Sequence, residues 1–272
     1  MSAYTGLVID THHHIWLRKD VAWLADPPIP RMFGDYFGIR RDYPVEEFIQ
    51  EVMAVGVTKS VHVTAMWGPT RALEETRWLQ AVADKHGFPH GIVCNANLAD
   101  PDVESALKAQ KQFPNLRGVR QMLYWDKDPT RQGAPHIDFC NDRDFRRGFA
   151  LLENYELHFE LQVFAWQAAH AVELIKAFPN VRMILVHAGM LTEHTPQAID
   201  QWRAALTAMS GISQLACQDL WAGHVHERSD LSARAAVDPR RHPDFWRRPR
   251  HLWQQFPAGE VARELRGLLC AL

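Results

Sequence analysis

Two histidines near the start of the chain are spaced so that both can act on one atom. His12 and His14 follow residues 6–9, a short apolar run typical of a β-strand. In extended backbone, residues i and i+2 point to the same side and lie about 6–7 Å apart along the chain. Two such imidazoles can hold one divalent metal ion or one substrate oxygen. The alternative is a polar loop with unrelated histidines.

Two further candidates stand at the ends of predicted strands. His187 follows the apolar run 181–186 and precedes Ala188-Gly189, where backbone can approach a ligand closely. It is a candidate metal ligand or electrophile, with a packed core histidine as the alternative. Arg120 ends a predicted strand at residues 116–120, and a guanidinium there can hold a carboxylate or a lactone oxygen. His62 lies between valines within a strand, which favours a structural role.

The elements that must position these side chains alternate along the first 217 residues. Apolar runs predict strands at 7–10, 60–63, 91–94, 116–120, 158–164 and 181–187. Amphipathic patterns predict helices at 73–85, 103–113, 142–155, 166–178 and 196–209. Six βα repeats with short connections imply a parallel sheet with right-handed crossovers. Residues 17–43, rich in proline, aromatics and arginine, interrupt this alternation of strands and helices. They form either a lid over the site or an ordinary ordered loop.

Composition narrows the class of protein. The chain of 272 residues, with 47% hydrophobic and 23% charged residues, suits one large α/β domain. A net charge of −2 gives no electrostatic reason to bind nucleic acid or a membrane, and no apolar stretch is long enough to span one. The start of the chain has no basic segment typical of a secretory signal. Four scattered cysteines suggest reduced thiols, so we expect a cytoplasmic protein. With no electrostatic reason to bind nucleic acid or a membrane, we expect its partner to be a small molecule.

Three motifs, in order, resemble the amidohydrolase superfamily. They are Asp-Thr-His-x-His-x-Trp at residues 10–16, Arg-Gly-Val-Arg at 117–120 and Leu-Val-His-Ala-Gly at 185–189. Within the superfamily, the chain resembles the amidohydrolase-related family, which includes small-lactone hydrolases, 2-pyrone-4,6-dicarboxylate hydrolase and non-oxidative decarboxylases. The resemblance covers about residues 7–217. It implies an α/β fold of the (β/α)8 TIM-barrel type, as in metal-dependent hydrolases, with the site at the C-terminal ends of the strands.

The resemblance leaves the metal open. It implies zinc or manganese at His12, His14 and His187, but zinc-dependent relatives often place a further histidine near Gln162 and an aspartate after strand 8. This chain has Gln162 instead, and no aspartate in that context. Some lactone-hydrolysing relatives work without metal, so a metal-independent hydrolase stays open.

Other side chains are candidates for the substrate pocket. Gln162, Trp16 and Tyr124 lie near predicted strand ends and could contact substrate, although aromatics in such places often only pack. Glu160 points the same way as Gln162 from deeper in its strand. It is either a buried carboxylate supporting the site or a structural residue.

The last 55 residues differ from the rest, so we divide the chain into a barrel domain at 1–217 and a tail at 218–272. The tail holds nine arginines and no lysine, against 14 arginines and seven lysines before it. Its prolines and like charges oppose buried strands. DNA encoding residues 218–224 can, read one base later, give Lys-Ile-Ser-Gly-Leu-Gly, and residues 245–257 permit a shifted reading ending Ser-Asn-Phe-Pro. Both strings resemble strand motifs of the family. We therefore predict a frame change near Cys217, a tail outside the barrel, and a barrel incomplete at strands 7 and 8.

These observations favour a hydrolase of a small lactone or cyclic ester. Arg120 would hold the anionic substrate while His12, His14 and His187 polarise the carbonyl, directly or through a divalent ion, for attack by water. The alternatives are a metal-assisted decarboxylase of an aromatic acid and an inactive, ligand-binding relative that has lost strand 8. The sequence does not identify the substrate or the oligomeric state.

Overall fold

The structure is a computed structural model that describes residues 8–219, except residues 33, 55, 69, 194 and 211, together with the pair 253–254. Within these residues eight strands form a closed barrel in chain order, each parallel to the next, and the last pairs with the first. The strands are β1 (Val8–His13), β2 (Val57–Val63), β3 (Gly91–Asn95), β4 (Leu116–Met122), β5 (His158–Gln162), β6 (Met183–Leu185), β7 (Leu215–Asp219) and β8 (Trp253–Gln254).

Helices connect the strands and cover the outside of the sheet. They are α1 (Ala22–Ala25), α2 (Val45–Ala54), α3 (Ala72–His86), α4 (Val103–Gln110), α5 (Arg143–Asn154), α6 (Ala168–Ala177) and α7 (Pro196–Met209). The predicted helices from α3 onward are present with ends shifted by at most three residues. The sequence reading did not include α1 or α2. No helix among the described residues has both the length and the apolar character needed to cross a membrane.

The layer between helices and sheet is packed by an apolar stripe, as α5 shows. Phe145, Phe149 and Leu152 follow helical spacing and are fully buried, and both phenylalanine rings contact Phe159 of β5. Burying side chains of this size stabilises the fold by roughly 1.5–3 kcal/mol each. Gly148 allows the close approach, because a Cβ there would lie 2.0 Å from the carbonyl oxygen of Leu98.

The predicted α/β barrel class is confirmed, and so are the order and parallel pairing of the first six strands. Several strand ends differ from the predicted ones: β1 runs to His13, β2 begins at Val57 and β4 runs to Met122. One further difference concerns the site. β6 stops at Leu185, and His187 lies in the turn that follows rather than in the strand. Its position at the C-terminal end of the sheet is unchanged by this correction.

The start of the tail enters the barrel, contrary to our expectation that no residue after Cys217 would pair. Gln218 and Asp219 continue β7, and the two-residue β8 lies between β7 and β1. The pairing is favoured because a parallel sheet leaves no free edge once its first and last strands meet. β8 is nevertheless short, with two residues where the other described strands have three to seven. Residues 220–252 and 255–272, which the rest of the tail prediction concerns, lie outside the described residues.

Candidate active site

Four predicted site residues converge at the mouth of the barrel, which we define as the C-terminal ends of its strands. The buried ring of His12, at the end of β1, lies 5.1 Å from the ring of His14 and 5.1 Å from the ring of His187, measured between centroids. Nη1 of Arg120, from β4, is 3.4 Å from Nε2 of His12. The alternation of side chains along β1 therefore delivers His12 to the inside, and the neighbouring strands bring its partners.

Hydrogen bonds fix the tautomers of the two motif histidines. Nδ1 of His12 is 2.7 Å from Oε1 of Gln218, and Nδ1 of His14 is 2.6 Å from the carbonyl oxygen of Val63. The amide of Gln218 is oriented by its own Nε2, which donates to the carbonyl oxygen of Thr11 at 3.3 Å. Because carbonyl oxygens only accept hydrogen bonds, both Nδ1 atoms donate, so the lone pair of either ring in its neutral form lies on Nε2.

The surroundings keep His12 neutral. Burial lowers the pKa of His12 well below its usual value, and positive charge on His14, His187 or Arg120 would lower it further. The hydrogen bond to Gln218 opposes this shift. His12 is therefore an acceptor of protons or hydrogen bonds in the site.

Arg120 is a buried cation with weak partners. Its side chain is 6% exposed, and burial lowers its pKa. Among the described residues it forms no ion pair within 4.0 Å, and Nη2 contacts only the sulfur of Met122, at 3.6 Å. Glu160, its register partner on β5, favours the charged form from a greater distance. A buried guanidinium in this state is an energetically favourable place for an anion.

Gln162 and Tyr124 lie together on one wall of the mouth. Nε2 of Gln162 donates to the sulfur of Met190 at 3.3 Å, and Oε1 has no hydrogen-bond partner within the described part of the chain. The ring of Tyr124 packs edge-on against Phe164, 5.5 Å between centroids, in a cluster that includes Met190. Both side chains are thus placed to contact a ligand, as predicted, although their roles remain predictions.

Trp16, the third predicted substrate contact, lies beside His14 and is bonded to the segment that follows β1. Its indole N–H donates to the carbonyl oxygen of Arg41 at 2.7 Å, and its backbone pairs with Tyr43. The ring lies 6.4 Å from that of His14. Trp16 therefore ties the end of residues 17–43, which we call the inserted segment, to the strand that carries the histidines.

His187 is presented by a left-handed turn. His187, Ala188, Gly189 and Met190 have φ values of 54°, 47°, 73° and 48°. This conformation costs a residue other than glycine roughly 1–2 kcal/mol, so neighbouring contacts must stabilise it. Trp202 of α7 provides one, because its indole N–H donates to the carbonyl oxygen of Ala188 at 2.6 Å.

Comparison with known proteins assigns the family. A family model described as amidohydrolase matches residues 9–258. The chain belongs to the amidohydrolase family. This confirms the resemblance seen in the sequence and makes the protein an enzyme of the hydrolase type.

Individual relatives agree with this assignment. The chain is 36% identical over 213 residues to the uncharacterized protein y4mH of Sinorhizobium fredii, covering 78% of this chain and 71% of that one. It is 24% identical over 217 residues to an L-fucono-1,5-lactonase of Burkholderia ambifaria, covering 78% of this chain and 68% of the lactonase. A zinc-bound crystal structure of a Burkholderia multivorans amidohydrolase superposes with a TM-score of 0.77 at 21% identity, over 98% and 91% of the two chains, and shows the shared fold.

The described side chains of the site do not form a ligand cluster for the divalent metal that the resemblance implies. In the part of the chain that the structure describes, no three His, Cys, Asp or Glu side chains are arranged to hold a metal ion. The donor set has a physical obstacle too. Nε2 of His12, the nitrogen that carries the lone pair, is 3.4 Å from the Arg120 guanidinium, which would repel a dication. The arrangement favours an anion at the position that the motif suggested for a metal.

Gln218 is the residue that sequence reasoning missed. It is buried in the barrel and orients His12, yet we had assigned it to the tail outside the fold. The pattern of β7 contained a usable signal. In the strand Leu215–Asp219, a single amide side chain follows directly after the apolar residues 215–217, at the carboxyl end of the strand, where functional side chains of a barrel are expected.

Proposed function

We propose that this amidohydrolase hydrolyses a small anionic lactone or cyclic ester. The observation that carries the proposal is the contact between buried Arg120 and neutral His12. Among the described residues Arg120 has no ion pair within 4.0 Å, and the Nε2 of His12 that faces it carries a lone pair. The lactonase named among the relatives supports a lactone as the class of substrate.

Binding of an anion would prepare the base. A substrate carboxylate on Arg120 would cancel much of the positive potential that keeps the pKa of His12 low. His12 then becomes a better proton acceptor only when substrate is present. A general base is most effective when its pKa lies near the working pH, so capture of the substrate and activation of the base are coupled.

The reaction would follow from these positions. A water molecule loses a proton to Nε2 of His12 and adds to the carbonyl carbon, while His187 stabilises negative charge on the carbonyl oxygen and Arg120 holds the substrate carboxylate. The acyl carbon–oxygen bond of the ring then breaks. The alkoxide takes the proton back from His12, and the product is an open hydroxy acid, so that one water is consumed. His14, held by Val63, would orient the attacking water through its Nε2 lone pair.

The test is a panel of neutral and carboxylated lactones with product analysis by mass spectrometry. We expect products heavier by one water, and a kcat/KM about 100- to 1000-fold lower in Arg120→Gln, because the substrate carboxylate loses its buried charged partner. Arg117→Gln is the matched control, because Arg117 lies on the same strand but is exposed and donates to the Pro114 carbonyl at its N-terminal end. Its kcat/KM should stay within about twofold.

Two results would contradict the proposal. Release of carbon dioxide from aromatic acids, without lactone turnover, would indicate the decarboxylase. Ligand binding with no turnover of either kind would indicate a binding protein.

A further inference from the structure

The inserted segment carries an arginine to the wall of the mouth. Met32 packs against the cluster of Phe164 and Met190 that also contains Tyr124. The segment is fixed in this place by Trp23, whose indole N–H donates to the carbonyl oxygen of Ala65 at 2.8 Å. Arg31, the neighbour of Met32, is therefore held close to the pocket wall.

The other arginines of the inserted segment have protein partners. Arg18 and Arg40 each donate to the carbonyl oxygen of Leu24, at 3.2 Å and 3.0 Å. Arg41 forms an ion pair with Glu47. These three side chains bind groups within the inserted segment or on α2, so each guanidinium already has a protein partner.

Arg31 differs from these arginines. Its guanidinium stands over the ring of Trp23, 6.0 Å from the centroid, and its Nε is buried without a hydrogen-bond partner in the described part of the chain. No ion pair of Arg31 is found among the described residues. A buried N–H without a partner costs free energy unless a ligand satisfies it.

Tyr124 links the two cations. Burial raises the pKa of Tyr124, and the positive charges of Arg120 and Arg31 both oppose that shift. The phenol is therefore within electrostatic reach of the Arg120 guanidinium on β4 and of the Arg31 guanidinium on the inserted segment. A ligand beside Tyr124 would meet both.

We propose that Arg31 determines substrate specificity by binding a second anionic group, so that the preferred substrate is a lactone or cyclic ester with two carboxylates or equivalent groups. The inference rests on the proposed function, since it places the reacting ring between Arg120 and Arg31. Arginine suits this task because its planar guanidinium binds a carboxylate through two parallel hydrogen bonds.

Calorimetric titration of the full chain with glutarate, which has two carboxylates, and butyrate, which has one, tests the proposal. Arg31→Gln should weaken glutarate binding by about 10- to 100-fold and change butyrate binding by no more than about twofold. Arg31→Lys, which keeps the charge but not the planar group, should fall between the wild type and Arg31→Gln. Arg120→Gln should weaken both ligands.

Arg41→Gln is the matched control, because it removes the same charge from the same segment at a side chain that is 52% exposed and paired with Glu47. It should alter neither affinity. An equal loss of both ligands in Arg31→Gln, unchanged glutarate affinity, or no binding of either acid by the wild type would overturn the inference. Since no turnover is measured, the selectivity pattern can appear even if no lactone is hydrolysed, and lactone hydrolysis can persist if the pattern is absent.

Discussion

Adjacent histidines of β1 face opposite sides of the sheet and have opposite environments. His12 points into the barrel, where Gln218 and Arg120 contact its two ring nitrogens. His13 points outward, its ring stacked on Phe48 of α2 at 3.8 Å between centroids and edge-on to His62 at 5.4 Å. Neither ring nitrogen of His13 meets a hydrogen-bond partner in good geometry among the described residues.

The difference shows that a run of three histidines is not one functional unit. Strand geometry divides it into an inner face that can act on a ligand and an outer face that packs against a helix. Burial disfavours the charged imidazole on both faces, since it lowers the pKa of His12 and of His13. Only on the inner face is the neutral ring also oriented. The following four predictions test this division, beginning with the largest expected effect.

Loss of the inner imidazole should abolish most activity. In His12→Asn we expect kcat/KM to fall by about 100-fold or more, as for removal of a general base, with the thermal midpoint little changed because Asn keeps a polar side chain beside Gln218. Steady-state kinetics and thermal unfolding measure the two effects. Activity within threefold of wild type would remove His12 from the mechanism.

Loss of the group that orients His12 should have the next largest effect. Gln218→Leu leaves Nδ1 of His12 without its acceptor, and changes of this kind typically cost about 10- to 100-fold in activity. Gln218→Glu should retain activity but move the acid limb of the pH–rate profile to higher pH, because a negative charge raises the pKa of His12. Gln214→Leu, which removes an amide that donates to Ile175 at the other end of β7, is the control. Equal kinetics in Gln218→Leu and Gln214→Leu would contradict an orienting role.

Weakening the left-handed turn should reduce activity moderately. Trp202→Phe keeps the ring but loses the hydrogen bond to the carbonyl oxygen of Ala188, worth about 0.5–1.5 kcal/mol. We expect kcat to fall by about two- to tenfold while KM changes less, because His187 would act on the transition state. Trp78→Phe on α3 is the control, as its ring packs against Trp67 outside the site. A change in KM alone would point to a binding role.

Replacement of the outer imidazole should leave activity unchanged and improve stability in acid. Burial lowers the pKa of His13, with His62 and His14 adding to the shift and a weak backbone contact opposing it. The folded state therefore resists protonation, so stability present above the usual histidine pKa of 6.5 is lost as the pH falls below it.

His13→Leu removes the group that is protonated on unfolding. Denaturant unfolding should therefore show that the free energy of unfolding falls less steeply with decreasing pH than in the wild type, by up to about 1.4 kcal/mol per pH unit. The remaining acid sensitivity would come from His62 and His12. An identical pH dependence in His13→Leu and wild type would show that His13 is not buried as a neutral ring.

Much of the fold could be predicted because its signal is periodic. The parallel order of the first six strands follows from apolar runs alternating with amphipathic stretches, and the helix at Pro196–Met209 was placed to the residue by its cap and proline. Helix Val45–Ala54 was not predicted, because it starts directly after the inserted segment, whose irregular composition obscures where the amphipathic pattern begins. The two-residue β8 carries no periodic signal at all.

The site was only partly accessible to sequence reasoning. Motif spacing predicted that His12, His14, His187 and Arg120 would be neighbours, and the structure brings them together. It could not show the left-handed turn at His187, since residues other than glycine rarely adopt positive φ. The position of Gln218 at the end of β7 could be read from the sequence, but its contact with His12 could not, and neither could the place of Arg31, because both depend on segments distant in sequence.

The frame-change hypothesis remains a prediction. The family model extends to residue 258, whereas the relatives align over 78% of the chain. Resequencing the coding DNA across Cys217 is decisive. Codons that cannot yield Lys-Ile-Ser-Gly in the next frame would refute the hypothesis.

The hydrogen bond between Gln218 and His12 joins residues 206 positions apart. At a synthesis rate of about 5–20 residues per second, roughly 10–40 seconds pass between the addition of one residue and of the other. During that time the growing chain has strand β1 but lacks β8, the strand that pairs with its other edge. We therefore expect the contact between Gln218 and His12 to be among the last features to form during synthesis. Until then, most of the chain has emerged with an incomplete barrel and needs protection from aggregation.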